Sequence, residues 1–349
     1  MNVTTEKKAI KGFMHRPGVH CASSALRNLF EFYGINLSEA MIFGLGAGLG
    51  IGYLKFPKQN PMIGGRRQKI EDQLGKALNI PFNGYRTKDA SEGWLKLKKS
   101  LEDGQPQTIN IDMFYLPYAK HELPSPDGEE FHFGQHVITV CGFDPENETV
   151  FVTDTHHEDI LEVPIEDLTK GRNSSYNKWM DPYNFIYEYD FSNVNYDLKS
   201  AIRESIRFNG KDLLKNTRFM SLLGINGGTK GLEKFAKDIE KWIKLPDNEL
   251  ANRCEEIQGY ISKYGTGGGF FRLLYSKFLK ECSEIMEDQH LLELSKFYEN
   301  LGNSWEQLSL KFTKLPSNDT KLSAIMEIQQ NLEEIIELEK KGASMLANY

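Results

Sequence analysis

Pro17-Gly18-Val19-His20-Cys21-Ala22-Ser23-Ser24-Ala25-Leu26-Arg27-Asn28-Leu29-Phe30 places a cysteine at the start of an apolar helical run, directly after a turn. At a helix N-terminus the unpaired backbone N–H groups and the positive end of the macrodipole favour a thiolate. The same N–H groups can stabilise an oxyanion. Small buried cysteines also serve simply as apolar filler. The other three, Cys141, Cys254 and Cys282, are scattered without a C-x-x-C pair. Neither a zinc site nor a disulfide framework is indicated, and reduced thiols are expected. Cys254 and Cys282 fall in helical patterns and Cys141 in a strand, so all three read as packing residues.

Outward from Cys21 the chain changes character near residue 193. Before it, runs rich in Val, Ile, Phe and Tyr predict strands over 107–114, 135–143, 149–153, 160–163 and 184–191. Helices are predicted over 21–33, 38–45, 68–78 and 92–102. After it, apolar residues at three- and four-residue spacing predict helices over 197–208, 211–222, 231–244, 247–263, 270–287, 290–312 and 321–347. The expected fold class is α+β, with a mixed domain over 1–192 followed by an all-α domain over 193–349. No internal repeat is evident.

A second segment, His132 to Asp154, reads as a β-hairpin with an Asp144-Pro145 turn. A three-residue loop places His136 opposite Asp154, and a four-residue loop places it opposite Thr155. Either register leaves imidazole and carboxylate as neighbours. With Cys21 they make up a nucleophile, its base and the group that orients the base.

Two Gly-rich segments stand out. Gly44 to Gly52 has neither a G-x-G-x-x-G pattern nor a Gly-Lys-Ser/Thr ending, so no dinucleotide site or Walker loop is supported. It reads as a tightly folded loop whose Gly46, Gly48 and Gly50 are candidates for close backbone approach to substrate. Gly265 to Gly269 precedes a helix, and Gly267 and Gly268 are candidates for holding an anion. His156 and His157 adjoin Glu158 and Asp159, but adjacent side chains on extended backbone point apart, and no metal site is expected. His20 is expected to face away from Cys21, and residues 333–341 to form an amphipathic helix with a solvated face.

The chain has 349 residues, a formal net charge of -7 and 40% hydrophobic residues, enough for real cores in two domains. The acidic balance argues against broad phosphate neutralisation, so no nucleic-acid partner is expected. The N-terminus lacks a signal-peptide core and no run approaches membrane-spanning length, so no membrane partner and a cytoplasmic location are expected. Oligomeric state is left open.

The order Cys21, His136, Asp154 resembles the papain-like superfamily, especially its leader-processing peptidase branch. The 17–28 stretch, followed by Ser38-Glu39-Ala40-Met41-Ile42-Phe43-Gly44-Leu45-Gly46-Ala47-Gly48-Leu49-Gly50, resembles the N-terminal domain of the butirosin biosynthesis protein H family. Tyr264-Gly265-Thr266-Gly267-Gly268-Gly269-Phe270-Phe271-Arg272 is similar to a Gly-rich segment of the helical domain that follows in that family. The resemblance implies a papain-like domain with a helical domain covering its active-site cleft. It implies an acyltransferase of secondary metabolism, of the kind used in antibiotic biosynthesis. Such an enzyme takes an acyl or aminoacyl group from the phosphopantetheine thioester of an acyl carrier protein to a small-molecule amine, with no permanently bound cofactor. Cys21 then accepts the acyl group, His136 acts as base and acid, and Asp154 orients His136. Papain-like hydrolases place a Gln six residues before the nucleophile; here that position is His15, a candidate oxyanion donor beside the Cys21 amide. A cysteine peptidase or amidase, or an inactive binding protein of the same fold, are the alternatives.

Overall fold

The computed structural model describes residues 9–55, 60–119, 132–176, 180–215, 225–313 and 321–349. The chain is α+β and divides into two compact units, one of Met1–Ile42 with Ile80–Val194, the other of Phe43–Asn79 with Asn195–Tyr349. This differs from a single division at 192/193, because residues 43–79 join the later chain. Backbone hydrogen bonding is the reason: β1 (Leu49–Leu54) lies between β2 (Met62–Arg66) and β9 (Ile225–Gly227), antiparallel to both.

In the first unit α1 (Cys21–Phe32) is buried all round from Ala22 to Phe30. Its polar residues are tolerated because they are hydrogen-bonded, as buried polar groups must be. A six-stranded sheet runs β3 (Phe82–Tyr85), β8 (Ile186–Tyr189), β4 (Gln107–Ile111), β5 (His136–Asp144), β6 (Thr149–Thr153) and β7 (Leu161–Pro164), with antiparallel neighbours throughout. One face buries Ile109, Ile138, Val140, Val150, Val152 and Ile186 in the core that also holds Leu97 of α4 (Ala90–Glu102) and Leu168 of α5 (Ile165–Arg172). Against the other face, Thr139 Oγ1 donates to the Ala25 carbonyl of α1 at 3.4 Å.

The predicted strand over 107–114 stops at Ile111, where the Asp112 carboxylate accepts from the Phe114 amide and opens a short helical turn. The predicted hairpin forms with the four residues 145–148 between its strands, in a register neither alternative anticipates. Asp144 faces Thr149 and Gly142 faces Phe151, but Val140 faces Val152, so Cys141 is the extra residue of a β-bulge. Inserting one residue changes which side chains share a face. β5 begins at His136 and Asp154 directly follows the end of β6, so antiparallel pairing brings both to the same end of the sheet.

In the second unit the Gly44–Gly52 segment is a turn leading into β1 rather than a loop throughout, with Gly52 facing both Gly64 and Gly227. α6 (Leu198–Leu214) runs unbroken where two helices are predicted; of the second, 216–222 lies outside the described residues. Gly210 does not break it, because the glycine lets the backbone of α11 (Lys321–Ala347) approach: an added Cβ would stand 2.2 Å from the Ala347 nitrogen. The remaining helices are α2 (Glu39–Leu45), which carries the chain from one unit to the other, α3 (Ile70–Ala77), α7 (Thr229–Ile239), α8 (Asp247–Gln258), α9 (Arg272–Met286) and α10 (Gln289–Phe312).

The fully buried Arg272 ties this unit together. Its guanidinium meets Glu339 at 2.7 Å and donates to the carbonyls of Gly65 and Gly50, while Trp305 donates to the same carboxylate. A buried charge pair of this kind needs further hydrogen bonds for support, and here the two glycine carbonyls and Trp305 supply them. No helix among the described residues is long and apolar enough to cross a membrane.

Candidate active site

Cys21 is the first residue of α1, and His20 is its N-cap: the imidazole turns back on the helix, its Nδ1 2.9 Å from Ser23 Oγ and accepting from the Ser23 amide. His20 thus caps the helix through Ser23. His136, first residue of β5, stands at the end of the sheet. Its Nε2 lies 2.9 and 2.8 Å from the two oxygens of Asp154, and the ring is also hydrogen-bonded to the Cys21 thiol. With Nε2 committed to the carboxylate, Nδ1 is the nitrogen left for sulfur.

Asp154 is 7% exposed and heavily bonded. Its Oδ2 accepts from Tyr118 Oη at 2.9 Å and its Oδ1 from the Thr155 amide at 2.6 Å. Burial alone would raise its pKa, but the His136 charge and these donors hold it well below the usual carboxylate range. Burial alone would keep His136 neutral. The Asp154 charge and hydrogen bond, with the Cys21 contact, outweigh that and raise its pKa well above the ordinary value. The imidazolium is thus the favoured form at neutral pH.

The segment before Cys21 is stitched to this pair. Gly18 N–H donates to Thr155 O at 2.6 Å, and His15 Nε2 donates to His157 O at 2.7 Å. Gly18 has to be glycine, since a Cβ would stand 2.4 Å from that of Ser24 and 2.7 Å from Glu39 Oε2. Glu39, in the first turn of α2, accepts from the amides of Val19 (3.1 Å) and His20 (2.9 Å) and from Ser23 Oγ (3.1 Å). Arg27 lies 4.0 Å from Glu39 and donates to the carbonyls of Arg16 and Pro17. Carboxylate and guanidinium together hold both edges of the turn that delivers Cys21.

His15 does not fit the oxyanion role expected of it. The Asn28 amide oxygen accepts from Arg27, which turns its Nδ2 to donate to His15 Nδ1 at 3.0 Å. Nε2 already donates to His157 O, so both ring nitrogens are used and no N–H is left for substrate. Burial, with the charge of Arg27 nearby, lowers its pKa despite the His157 bond and keeps it neutral. His15 is a strut between two loops.

Gly46, Gly48, Gly50, Gly267 and Gly268 all belong to the second unit, whereas Cys21, His136 and Asp154 belong to the first. Gly48 and Gly50 serve packing: added Cβ atoms would meet the Phe43 ring at 2.6 Å and the Arg67 nitrogen at 2.4 Å. Gly46 is buried in the turn before β1. The anion expected at Gly265–Gly269 is supplied by the chain itself. Glu306 accepts from the Gly269 amide, the Gly268 amide is taken by Thr266 Oγ1 at 3.0 Å, and Ser262 Oγ donates to Glu306 at 2.8 Å. This loop is already neutralised, which removes the argument for a phosphate there.

Tyr118 and Glu39, which contact Asp154 and the turn before Cys21, are candidate site residues that the sequence pattern misses. Tyr118 lies outside any regular element, and the Glu39 contacts span 16 to 20 residues. No group of three or more His, Cys, Asp and Glu residues among those described is placed to hold a metal.

Comparison with known families finds two adjoining matches. Residues 20–155 match the model described as butirosin biosynthesis protein H, N-terminal, and residues 166–346 match a domain of unknown function, DUF4872. No curated protein matches the chain.

Proposed function

Because this chain belongs to the family that joins a butirosin biosynthesis protein H N-terminal domain to a DUF4872 domain, we propose that it is a cysteine-dependent acyltransferase of secondary metabolism. It moves an acyl group from a carrier-protein thioester through Cys21 to an amine, on a papain-like arrangement of helix-borne thiol and strand-borne base. The observation that carries this reading is His136, which touches Cys21 on one side and Asp154 on the other.

The thiolate of Cys21 attacks the thioester carbon, and the oxyanion that forms faces the α1 N-terminus, where the Cys21 amide is the donor. Collapse expels the phosphopantetheine thiolate, which takes the proton held by His136. The neutral imidazole then accepts a proton from the incoming amine as nitrogen attacks acyl-Cys21. Collapse of that second intermediate breaks the C–S bond, forms the amide and restores the Cys21 thiolate beside imidazolium. Asp154 keeps Nδ1 aimed at sulfur and stabilises the charge each time His136 is protonated. A thioester is already activated, so sulfur-to-sulfur exchange is close to energy-neutral.

The test is intact-mass analysis after incubation with an acylated carrier protein. An acyl adduct on the wild type that is absent from Cys21→Ala supports the reading. Absence of an adduct with any carrier-bound or soluble thioester sinks it, and release of a peptide fragment instead would mark a peptidase.

A further inference from the structure

α7 carries an unusual charge pattern for a chain of net charge -7. Lys230, Lys234 and Lys237 on the helix, with Lys241 and Lys244 on the 3₁₀ turn that continues it (Glu240–Lys244), follow one another at spacings of four, three, four and three. That spacing puts five ammonium groups along one side. All five are exposed, while Leu232, Phe235, Ala236, Ile239 and Trp242 are buried beneath.

Among the described residues, the carboxylates beside this stripe are turned elsewhere or shared. Glu233 reaches away to Lys340 of α11 at 3.0 Å, and Glu240 accepts from Gln329 of α11 at 2.9 Å. Asp238 is 4% exposed and is shared among Tyr53, Lys55 and Lys241. Lys55 thereby adds a sixth cation at the border, its side chain 46% exposed, and the Lys241 side chain remains 73% exposed in spite of its contact with Asp238. Lys234 donates to Asn226 Oδ1. A local positive field on an acidic protein steers association with partners of opposite sign.

We propose that this lysine face is the docking surface for an acidic protein partner that presents carboxylates at helical spacing, namely the carrier protein that brings the acyl group. The partner's identity rests on the acyl-transfer reading; the surface itself rests on the stripe. Docking here is electrostatic, so it weakens as ionic strength rises.

The experiment measures binding of the apo form of an acyl carrier protein, which excludes acyl chemistry. Lys237→Glu with Lys244→Glu is compared with the charge-matched Lys277→Glu with Lys280→Glu on α9, whose two lysines are exposed elsewhere in the same unit. Lys237→Gln with Lys244→Gln guards against a folding defect, and melting curves are recorded for all. The stripe variant is expected to bind about tenfold or more weakly, the Gln variant in between and the control as wild type, with wild-type affinity falling as salt rises. Equal binding by stripe and control variants, or no binding by the wild type, overturns the proposal. So does loss by the stripe variant of binding to anionic vesicles or RNA alone. Acylation of Cys21 by a soluble pantetheine thioester is followed in parallel. If that fails the acyl-transfer reading fails, and if it succeeds without carrier binding only the docking surface does.

Discussion

His136 Nε2 sits 2.8 and 2.9 Å from the two oxygens of Asp154, His136 opening β5 and Asp154 directly following β6 at the same end of the sheet.

The pair makes Cys21 distinct from the other thiols. Burial pushes Cys141 and Cys254 up to about 12 and raises Cys282 further, while Cys21 is only partly buried and bonded to His136. Iodoacetamide at neutral pH is expected to label Cys21 at least about tenfold faster than the rest, by the thiolate rule for cysteine reactivity. Peptide mapping over a time course reads this, and equal rates would remove the activated thiol.

Asp154→Asn should lower acyl transfer by on the order of 10²–10⁴-fold, the range for losing an orienting carboxylate or base catalysis. Tyr118→Phe removes only the 2.9 Å bond to Oδ2, so a loss of about tenfold is expected, with a stability cost near 1 kcal/mol or less. In both variants His136 loses support for its proton, and alkylation of Cys21 should need a higher pH than in the wild type. An unmoved pH profile would show that neither residue acts through His136.

Glu39→Gln keeps the size of the side chain but weakens its bonds to Val19 and His20 and leaves the Arg27 charge unbalanced. Hydrogen bonds to a charged acceptor contribute roughly 1.5–3 kcal/mol, so a lowered melting temperature is expected. Slower alkylation of Cys21 than in a melting-matched core variant such as Leu97→Val would show that the turn positions the thiol. Equal rates in the two would confine Glu39 to stability.

Stability should follow the pair through pH. His136 has a raised folded pKa, so its contribution is complete below the unfolded value of about 6.5 and is lost as pH rises through the folded value of about 10. Asp154 is lowered, so its contribution is present above about 4 and is lost as pH falls toward its folded pKa. The melting temperature of the wild type minus that of Asp154→Asn should be largest near pH 5–6 and shrink on either side. A difference that is flat across pH would mean the ion pair does not form.

Much of this was legible from residue order because its causes are local. The turn into α1 at Cys21, the apolar periodicity of the helices and the strands of the 136–153 hairpin depend on neighbours a few residues apart. The three site residues were legible as types, a thiol at a helix start and an imidazole and a carboxylate near a hairpin.

Tertiary structure decided what those types do. A one-residue bulge at Cys141 shifts the pairing of β5 with β6, and such a slip leaves no mark in an alternating pattern. The strand β1 hid in glycines, because Gly50 and Gly52 have no side chains to alternate and Gly52 pairs with chain as distant as Gly227. His15 has the chemistry of an oxyanion donor, yet Asn28 and His157 consume both nitrogens; Gly268 and Gly269 have amides for an anion, yet Glu306 and Thr266 are already there. Sequence sets which hydrogen-bonding groups a segment owns, and only the fold settles whether they are already spent on the protein itself.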